Sequence, residues 1–206
     1  MQSRRRQLLQ ELRNLPNLLT MGRVLVIPFV VLFIDNRSQV RSFVAACLYV
    51  LAAVTDFLDG FLARRWGQVS VVGKFLDPLA DKLIVMAALV MLVDVDRLPA
   101  WLVILLIGRE LAITGLRSIA GAEGLVIAAG QAGKYKTALQ LVGISFSIIH
   151  FRYPLLGTSI IVDFGAVGFF ILCVSLAFSL FSAVRYVQYF IRAASLQAKS
   201  HPEDAV

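Results

Sequence analysis

The chain has 206 residues and is too apolar for a soluble protein. Hydrophobic residues make up 59% of it, charged residues only 16%, and the mean hydropathy is +0.80. These values exclude a soluble globular domain and indicate an all-α membrane protein with several spans. The formal net charge is +7. Because the basic residues are spread among the connections between apolar segments, this charge favours contact with anionic lipid and phosphorylated substrates, and not with nucleic acid.

The N-terminal segment, residues 1–16, combines basic residues with an apolar stripe. Arg4, Arg5 and Arg6 precede Leu8 and Leu12. This pattern is typical of a short amphipathic helix that lies in the membrane interface. The next residues, Pro16 and Asn17, open the first apolar segment, and Asn17 is a possible N-cap.

Six apolar segments follow, each near the ~20 residues that a bilayer crossing needs. They cover residues 18–34, 42–64, 75–93, 99–119, 134–151 and 160–184. The chain is thereby divided into an interfacial helix (1–16), a six-helix transmembrane domain (17–192) and a cytoplasmic tail (193–206). The tail is polar from Gln197 onward, and we expect that part to be disordered.

The distribution of Lys and Arg predicts the orientation in the membrane. The first, third and fifth loops carry four such residues, Arg37, Arg41, Arg97 and Arg152. The N-terminal segment, the second and fourth loops and the tail carry most of the others. Since positive residues accumulate on the cytoplasmic side, both termini and the loop between the second and third spans are expected in the cytosol, with the protein integral to the cytoplasmic (inner) membrane.

Four aspartates flank that second loop. The stretch reads Asp56-x2-Asp59-Gly60-x2-Ala63-Arg64-x8-Gly73-x3-Asp77-x3-Asp81. Spacings of three and four residues put each pair of aspartates on one helical face. The connection is short and turn-like, so the two helices should be antiparallel neighbours with converging carboxylates. In a low dielectric such carboxylates repel one another unless protons or cations hold them together.

A carboxylate cluster with neither Cys nor His nearby favours hard divalent ions such as Mg²⁺ or Mn²⁺. Two such ions with bridging carboxylates form an arrangement that displaces a leaving group at phosphorus. Gly60 would let a ligand approach closely, Ala63 would keep that face narrow, and Arg64 offers a planar donor to phosphate oxygens. The alternative, aspartates that only cap helices or end them in solvent, explains one or two positions but not the whole pattern.

The stretch matches, residue for residue, the motif of the CDP-alcohol phosphotransferase family, D-x2-D-G-x2-A-R-x8-G-x3-D-x3-D, and the chain resembles that family. The resemblance implies an integral membrane enzyme, expected as a homodimer, that transfers a phosphatidyl group from CDP-diacylglycerol to an alcohol and releases CMP. It implies two bound metal ions with Asp56, Asp59, Asp77 and Asp81 as ligands, and Asp81 also as the catalytic base. It implies CDP binding by Asp56, Gly60, Ala63, Arg64 and Gly73.

The fourth and fifth spans carry further charged residues. Arg109 and Glu110 interrupt apolar sequence, Arg117 shares a helical face with Arg109, and Lys134 and Lys136 open the fifth span. A buried salt bridge and ordinary membrane-border lysines are the alternatives to a functional role. On the side that bears the aspartates, however, a group of cations suits an anionic substrate group.

Flanking motifs resemble the branch of the family whose acceptor is glycerol 3-phosphate. They are Pro16-Asn17-x2-Thr20-x2-Arg23, Arg109-Glu110, and Gly133-Lys134-x-Lys136-Thr137-x2-Gln140. The resemblance implies acceptor phosphate binding by Arg109, Arg117, Lys134 and Lys136. The other polar residues of these motifs, Asn17, Thr20, Arg23, Glu110, Thr137 and Gln140, are further candidates. The acceptor's 1-hydroxyl would then attack the β-phosphorus.

Two alternatives stay open. The acceptor could be another alcohol, such as inositol phosphate, serine or phosphatidylglycerol, because the aspartate motif is common to all of these enzymes. A divalent-cation transporter is the alternative from another class, but the acids lie at one membrane face and not at the midplane.

Structural predictions also follow for three single residues, Pro78, Lys82 and Asp163. Pro78 means either that the third span starts with Asp77 as its cap or that the helix starts earlier and is kinked. Lys82 is expected to have a structural role, pairing with a carboxylate or reaching the surface. Asp163 is expected to cap the sixth span or to pair with Arg152.

Overall fold

The computed structural model describes residues 15–35, 38–66, 71–123, 132–154 and 161–200. In these residues the backbone forms the helices α1 (Leu15–Phe33), α2 (Gln39–Trp66), α3 (Val71–Asp94), α4 (Ala100–Ala122), α5 (Ala132–Ile149) and α6 (Phe164–Ser200). Two short strands, β1 (Arg152–Pro154) and β2 (Ile161–Asp163), pair antiparallel before α6. The predicted all-α class is therefore confirmed. The predicted interfacial helix lies almost entirely outside the described residues.

The helices follow the predicted segments in order, and their ends correct three of the expectations. α1 is described from Leu15, so Asn17 lies inside it and the prediction of an N-cap there is wrong. α3 begins at Val71, which places Asp77 inside the helix and selects the earlier of the two possible starts. α6 continues to Ser200, so disorder from Gln197 is wrong for residues 197–200. Alanine, leucine, glutamine and lysine after residue 192 are good helix formers, which explains the extension.

The core lies where α1 to α6 meet, and most of its residues are small or aliphatic. Its fully buried members include Ala45, Ala88, Leu89, Leu92, Leu102 and Ile148. α1 packs against α2 and α3, and α2 also packs against α5. Close approach at small residues and van der Waals contact stabilise such packing in lipid, where apolar burial between helices contributes little.

α5 and α6 form the most extensive helix pair, and two glycines set how closely they approach. A Cβ atom at Gly143 would lie 2.8 Å from Leu172 Cγ, and one at Gly168 would lie 2.6 Å from the backbone nitrogen of Ser147. Neither position has room for a side chain. The Ser147 hydroxyl donates to the Gly143 carbonyl at 2.9 Å, which satisfies a polar group at the contact. α6 is thus held rigidly against α5.

The outward faces of the helices are apolar. Leu25, Phe29, Leu32, Leu51, Ile104 and Phe170 each expose more than half of their surface. Soluble monomers rarely leave so much contiguous apolar surface exposed. In the described part of the chain, Phe164–Ala193 is long and apolar enough to cross a membrane, and Thr20–Phe33, Gln39–Thr55 and Tyr135–Ile149 are shorter apolar helices. The exposed apolar faces and this candidate span indicate a helical membrane protein, and the count of six spans stays a prediction.

Arg97 joins three connections at one end of the bundle. Its guanidinium donates to the Ile148 carbonyl at 2.5 Å, to the Asp35 carbonyl at 2.6 Å and to the Ser42 hydroxyl at 2.9 Å. The residue is buried, and its guanidinium carbon lies 5.5 Å from the centre of the Phe151 ring. We call these five residues the loop end. One side chain thereby ties the α1–α2, α3–α4 and α5–β1 connections together.

The strand pair beside the loop end confirms both roles expected of Asp163. Its Oδ2 accepts from Arg152 Nε at 3.0 Å, and its Oδ1 accepts from the backbone N–H of Ala166 at 3.0 Å. The second contact caps the first turn of α6. The pKa of Asp163 is lowered, first by the Ala166 hydrogen bond and then by Arg152.

Candidate functional site

A cavity of about 990 Å³ lies between α1, α2, α3, α4 and α5. Its charged lining residues in the described part of the chain are Arg23, Asp81, Lys82, Glu110, Arg117 and Lys136. The rest of its wall is largely apolar, and Tyr49, Ile84, Leu89, Leu106 and Leu141 contribute to it. A cavity with an ionic part and an apolar part suits a ligand that is itself amphiphilic.

Asp81 on α3 is paired with Arg23 on α1. The Arg23 Nη1 donates to Asp81 Oδ1. The Arg23 side chain is only 2% exposed, whereas the Asp81 side chain is 42% exposed. Asp81 is therefore held by a buried guanidinium, while part of its own side chain is exposed and lines the cavity. Thr20, one turn before Arg23, is also buried.

One face of α4 forms a wall of the cavity. The lining residues on that face are Glu110, Thr114, Arg117 and Ser118. Their spacing of three and four residues repeats one helical face. Arg109 precedes Glu110 by one position, which rotates its side chain by about 100° around the helix axis. Its Nε accordingly donates to the Ser179 carbonyl of α6 at 3.0 Å.

Glu110 links α4 to α5. Its Oε2 accepts a hydrogen bond from Lys136 Nζ and lies 3.3 Å from Arg109 Nη1. Lys136 is buried, and a buried ammonium needs such a partner. The salt bridge that was one interpretation of Arg109 and Glu110 is present but only part-buried, and Lys136 is the partner that joins it from another helix.

Lys82 links α3 to α4, which is the structural role expected of it. Its Nζ donates to the Thr114 hydroxyl at 2.9 Å, so this hydrogen bond goes to a hydroxyl and not to the carboxylate expected as its partner. Thr114 and Ser118 did not stand out in the sequence. Their spacing of four and eight residues after Glu110 is the signal that could have identified them.

The structure places the four predicted metal ligands on two consecutive helices. Asp56 and Asp59 lie in α2, Asp77 and Asp81 lie in α3, and residues 67–70 connect the helices. Of these ligands, Asp81 has a described side chain, and it faces the cavity. The side chains of other predicted site residues lie outside the described part of the chain: Asn17, Asp56, Asp59, Gly60, Ala63, Arg64, Gly73, Asp77 and Lys134. Their roles stay predictions.

The predicted acceptor residues divide into two groups. Arg117 and Lys136 line the cavity, together with Thr137 and Gln140 from α5. Arg109 is absent from the described lining because it turns toward α6. The Arg117 guanidinium also lies 5.8 Å from the centre of the Tyr186 ring, so an aromatic face supports it from α6.

Known proteins with similar sequences carry one recurring name. The CDP-diacylglycerol--glycerol-3-phosphate 3-phosphatidyltransferase of Bacillus subtilis (strain 168) is 42% identical to this chain over 149 residues, which cover 66% of the chain and 77% of that protein. The protein of that name from Escherichia coli (strain K12) is 41% identical over 139 residues, covering 65% and 75%. The one from Rickettsia felis is 38% identical over 138 residues, covering 66% and 76%. The family profile described as CDP-alcohol phosphatidyltransferase matches residues 13–181, and the chain therefore belongs to that family.

Proposed function

We propose that the protein transfers the phosphatidyl group of CDP-diacylglycerol to the 1-hydroxyl of sn-glycerol 3-phosphate, giving phosphatidylglycerophosphate and CMP in phospholipid biosynthesis. One observation carries the proposal. A half-exposed carboxylate, Asp81, and the cations Arg117 and Lys136 line the same cavity, and much of its remaining wall is apolar. The names of the similar bacterial proteins supply the donor and the acceptor.

The donor is a lipid diphosphate, so its site must neutralise phosphate charge beside an apolar surface. We assign two divalent ions, Mg²⁺ or Mn²⁺, to Asp56, Asp59, Asp77 and Asp81. A donor set of carboxylate oxygens suits these ions, and the part-exposed Asp81 side chain in the cavity lining fits such a site. When bound, the ions would neutralise the diphosphate and the departing CMP. The remaining CDP contacts are assigned to Gly60, Ala63, Arg64 and Gly73.

The acceptor carries a phosphate and needs cations that face the cavity. Arg117 and Lys136 meet that requirement, and Lys134 is assigned to the same group. The guanidinium of Arg117 can bind two phosphate oxygens at once, while the Lys136 ammonium supplies a point charge. Thr137 and Gln140 extend this wall along α5 with neutral polar groups.

Asp81 is assigned as the general base. The acceptor hydroxyl loses its proton as its oxygen bonds to the β-phosphorus, and the bond between that phosphorus and the CMP oxygen breaks. The proton passes to the Asp81 carboxylate, which is part-exposed and lines the cavity. Arg23 donates to Oδ1 of this carboxylate and orients it for the transfer.

The membrane arrangement that accompanies this function has six spans in the cytoplasmic membrane, with both termini and the cavity on the cytosolic side. The distribution of Lys and Arg supports it. The nucleotide head of the donor is then reached from the cytosol, where glycerol 3-phosphate is also supplied. A homodimer is proposed from the family resemblance.

Purified protein in detergent, supplied with CDP-diacylglycerol, tests the proposal through release of CMP. We expect release to require both a divalent ion and glycerol 3-phosphate. Inositol phosphate, serine and phosphatidylglycerol are then offered one at a time. Release with one of these and not with glycerol 3-phosphate would reassign the acceptor, and release without any acceptor alcohol would contradict the transfer.

A further inference from the structure

The cavity contains a carboxylate in the region assigned to an anionic substrate group. Glu110 shares a wall with Arg117 and Lys136, and 28% of its side chain is exposed. A carboxylate beside a bound phosphate repels it, most strongly where the dielectric is low. On charge alone, Glu110 should weaken acceptor binding, so its presence needs another explanation.

The hydrogen bonds of Glu110 point to that explanation. A single carboxylate oxygen, Oε2, contacts both the Lys136 ammonium and Arg109 Nη1. Arg109 is directed away from the cavity, since its Nε donates to the Ser179 carbonyl. Lys136 is the partner that lines the cavity. Glu110 therefore sits between a cation that anchors α4 to α6 and a cation that faces the site.

The position of Lys136 and its positive charge both depend on neighbouring groups. Its backbone is held because its carbonyl accepts from the Ser175 hydroxyl of α6 at 3.1 Å. Its ammonium, however, ends a flexible stem, and the side chain is only 8% exposed. Burial favours the neutral form of a lysine, and an opposing carboxylate favours the charged form. Without Glu110 the ammonium would lose its fixed position and part of its charge.

We propose that Glu110 is a positioning residue, which keeps Lys136 charged and directed into the cavity so that Lys136 can bind the phosphate of the acceptor. The proposal rests on the function proposed above, and it deepens it by assigning a role to a residue that has the same charge sign as the substrate. Charge repulsion alone predicts that loss of the Glu110 carboxylate strengthens acceptor binding. Loss of the Glu110 carboxylate should weaken acceptor binding, although it makes the cavity more positive.

The first experiment compares Glu110→Gln and Glu110→Asp with the wild-type protein in CMP release. We expect Glu110→Gln to raise the KM for glycerol 3-phosphate about tenfold, with the KM for CDP-diacylglycerol within about twofold, because one charge-assisted hydrogen bond is lost. Glu110→Asp keeps the charge and should restore much of the acceptor KM. A lower or unchanged acceptor KM in Glu110→Gln would overturn the proposal.

The second experiment is a double-mutant cycle with Lys136→Met. If Glu110 acts through Lys136, the acceptor KM of the double variant equals that of Lys136→Met alone. Independent, multiplicative effects of the two changes would overturn the proposal. Asp163→Asn is the matched control, because it removes the carboxylate of an ion pair away from the cavity and should leave both KM values unchanged.

Two further measurements cover a Glu110→Gln variant that does not fold and a wild-type protein that does not use glycerol 3-phosphate. Where Glu110→Gln does not fold, Glu110→Leu combined with Lys136→Leu replaces both ions by apolar side chains, which buried ion pairs often tolerate. That variant should show the acceptor KM of Lys136→Met, and a wild-type KM would overturn the proposal. A wild-type protein that does not use glycerol 3-phosphate refutes the proposed function instead, and the cycle is then run with the acceptor that it does use.

Discussion

The two ends of the helix bundle both contain buried cations, and they differ in what those cations bind. At the loop end, Arg97 donates to two backbone carbonyls and a hydroxyl, which are fixed parts of the fold. In the cavity, Arg23 and Lys136 are paired with Asp81 and Glu110, whose side chains remain 42% and 28% exposed. A buried cation therefore does not by itself identify a functional site. The exposure of its partner is what separates the cavity cations, to which a ligand is assigned above, from Arg97 at the loop end.

The largest effect is expected from Asp81→Asn. An amide keeps the shape of the side chain but cannot take the acceptor's proton, and it is a poorer metal ligand. We expect the rate of CMP release to fall by at least about a hundredfold. The thermal unfolding temperature in detergent is measured on the same variant and should fall, because the change also removes the carboxylate that pairs with the buried Arg23 guanidinium. Near-wild-type release by a folded Asp81→Asn variant would remove Asp81 from the role of base.

The next prediction concerns the loop end. Arg97→Met leaves two carbonyls and a hydroxyl without this donor, and we expect the free energy of unfolding to fall by about 3 kcal/mol. CMP release per folded molecule should stay within about twofold of the wild type. Thermal unfolding in detergent measures the first quantity and initial rates measure the second.

Arg41→Met is the matched control for that prediction. Arg41 also binds Asp35, through Oδ2 at 2.8 Å, and the Leu32 carbonyl at 3.0 Å, but half of its side chain is exposed. Its loss should cost less than about 1 kcal/mol. Equal destabilisation by both changes would show that burial of Arg97 is not what makes it important.

A smaller effect is expected from Arg117→Met. Removing one phosphate-binding guanidinium should raise the KM for glycerol 3-phosphate about tenfold and leave the KM for CDP-diacylglycerol nearly unchanged. Arg185→Met is the control, because Arg185 lies at the same 5.8 Å from an aromatic ring, Phe181, but not in the described cavity lining. A similar rise of both KM values in Arg117→Met would exclude a selective role in acceptor binding.

The smallest effect concerns pH and Asp163. The folded-state pKa of Asp163 lies below the ordinary value of 3.8, chiefly because the Ala166 N–H donates to its carboxylate. The ionised form therefore stabilises the folded protein above the unfolded-state pKa, and this contribution is lost as the pH falls through the folded-state pKa. Asp163→Asn should unfold at a slightly lower temperature than the wild type at neutral pH, and the difference should shrink as the pH falls below 3.8 and vanish below the folded-state pKa. A difference that grows in acid would contradict this assignment.

The sequence predicted those features that depend on local spacing. Apolar runs located the helices, and the spacing of Asp77 and Asp81 assigned them to one helical face of what is now α3. The pair of Arg152 and Asp163 was also predictable, because the two opposite charges are only 11 positions apart in the chain. In each case the feature is determined by residues that are close together in the sequence.

Contacts between helices that are distant in the sequence were not predictable, because they depend on which helices pack together. Arg23 and Asp81 are 58 positions apart, and Arg97 and Ile148 are 51 apart. Arg109 and Arg117 share a face by spacing, yet neighbouring α6 offers Arg109 the Ser179 carbonyl and draws it from the cavity. Local periodicity identifies the members of a face, but the tertiary neighbours decide what each side chain contacts.

The sixth helix supports the cavity without lining it in the part that the structure describes. The face of α6 that points away from the cavity can therefore carry a spectroscopic reporter during turnover. Phe170 is 68% exposed on α6, and a fluorophore attached through Phe170→Cys would sense the surrounding lipid while the reaction proceeds elsewhere. The native thiols of Cys47 and Cys173 would first be replaced, and neither belongs to the cavity wall.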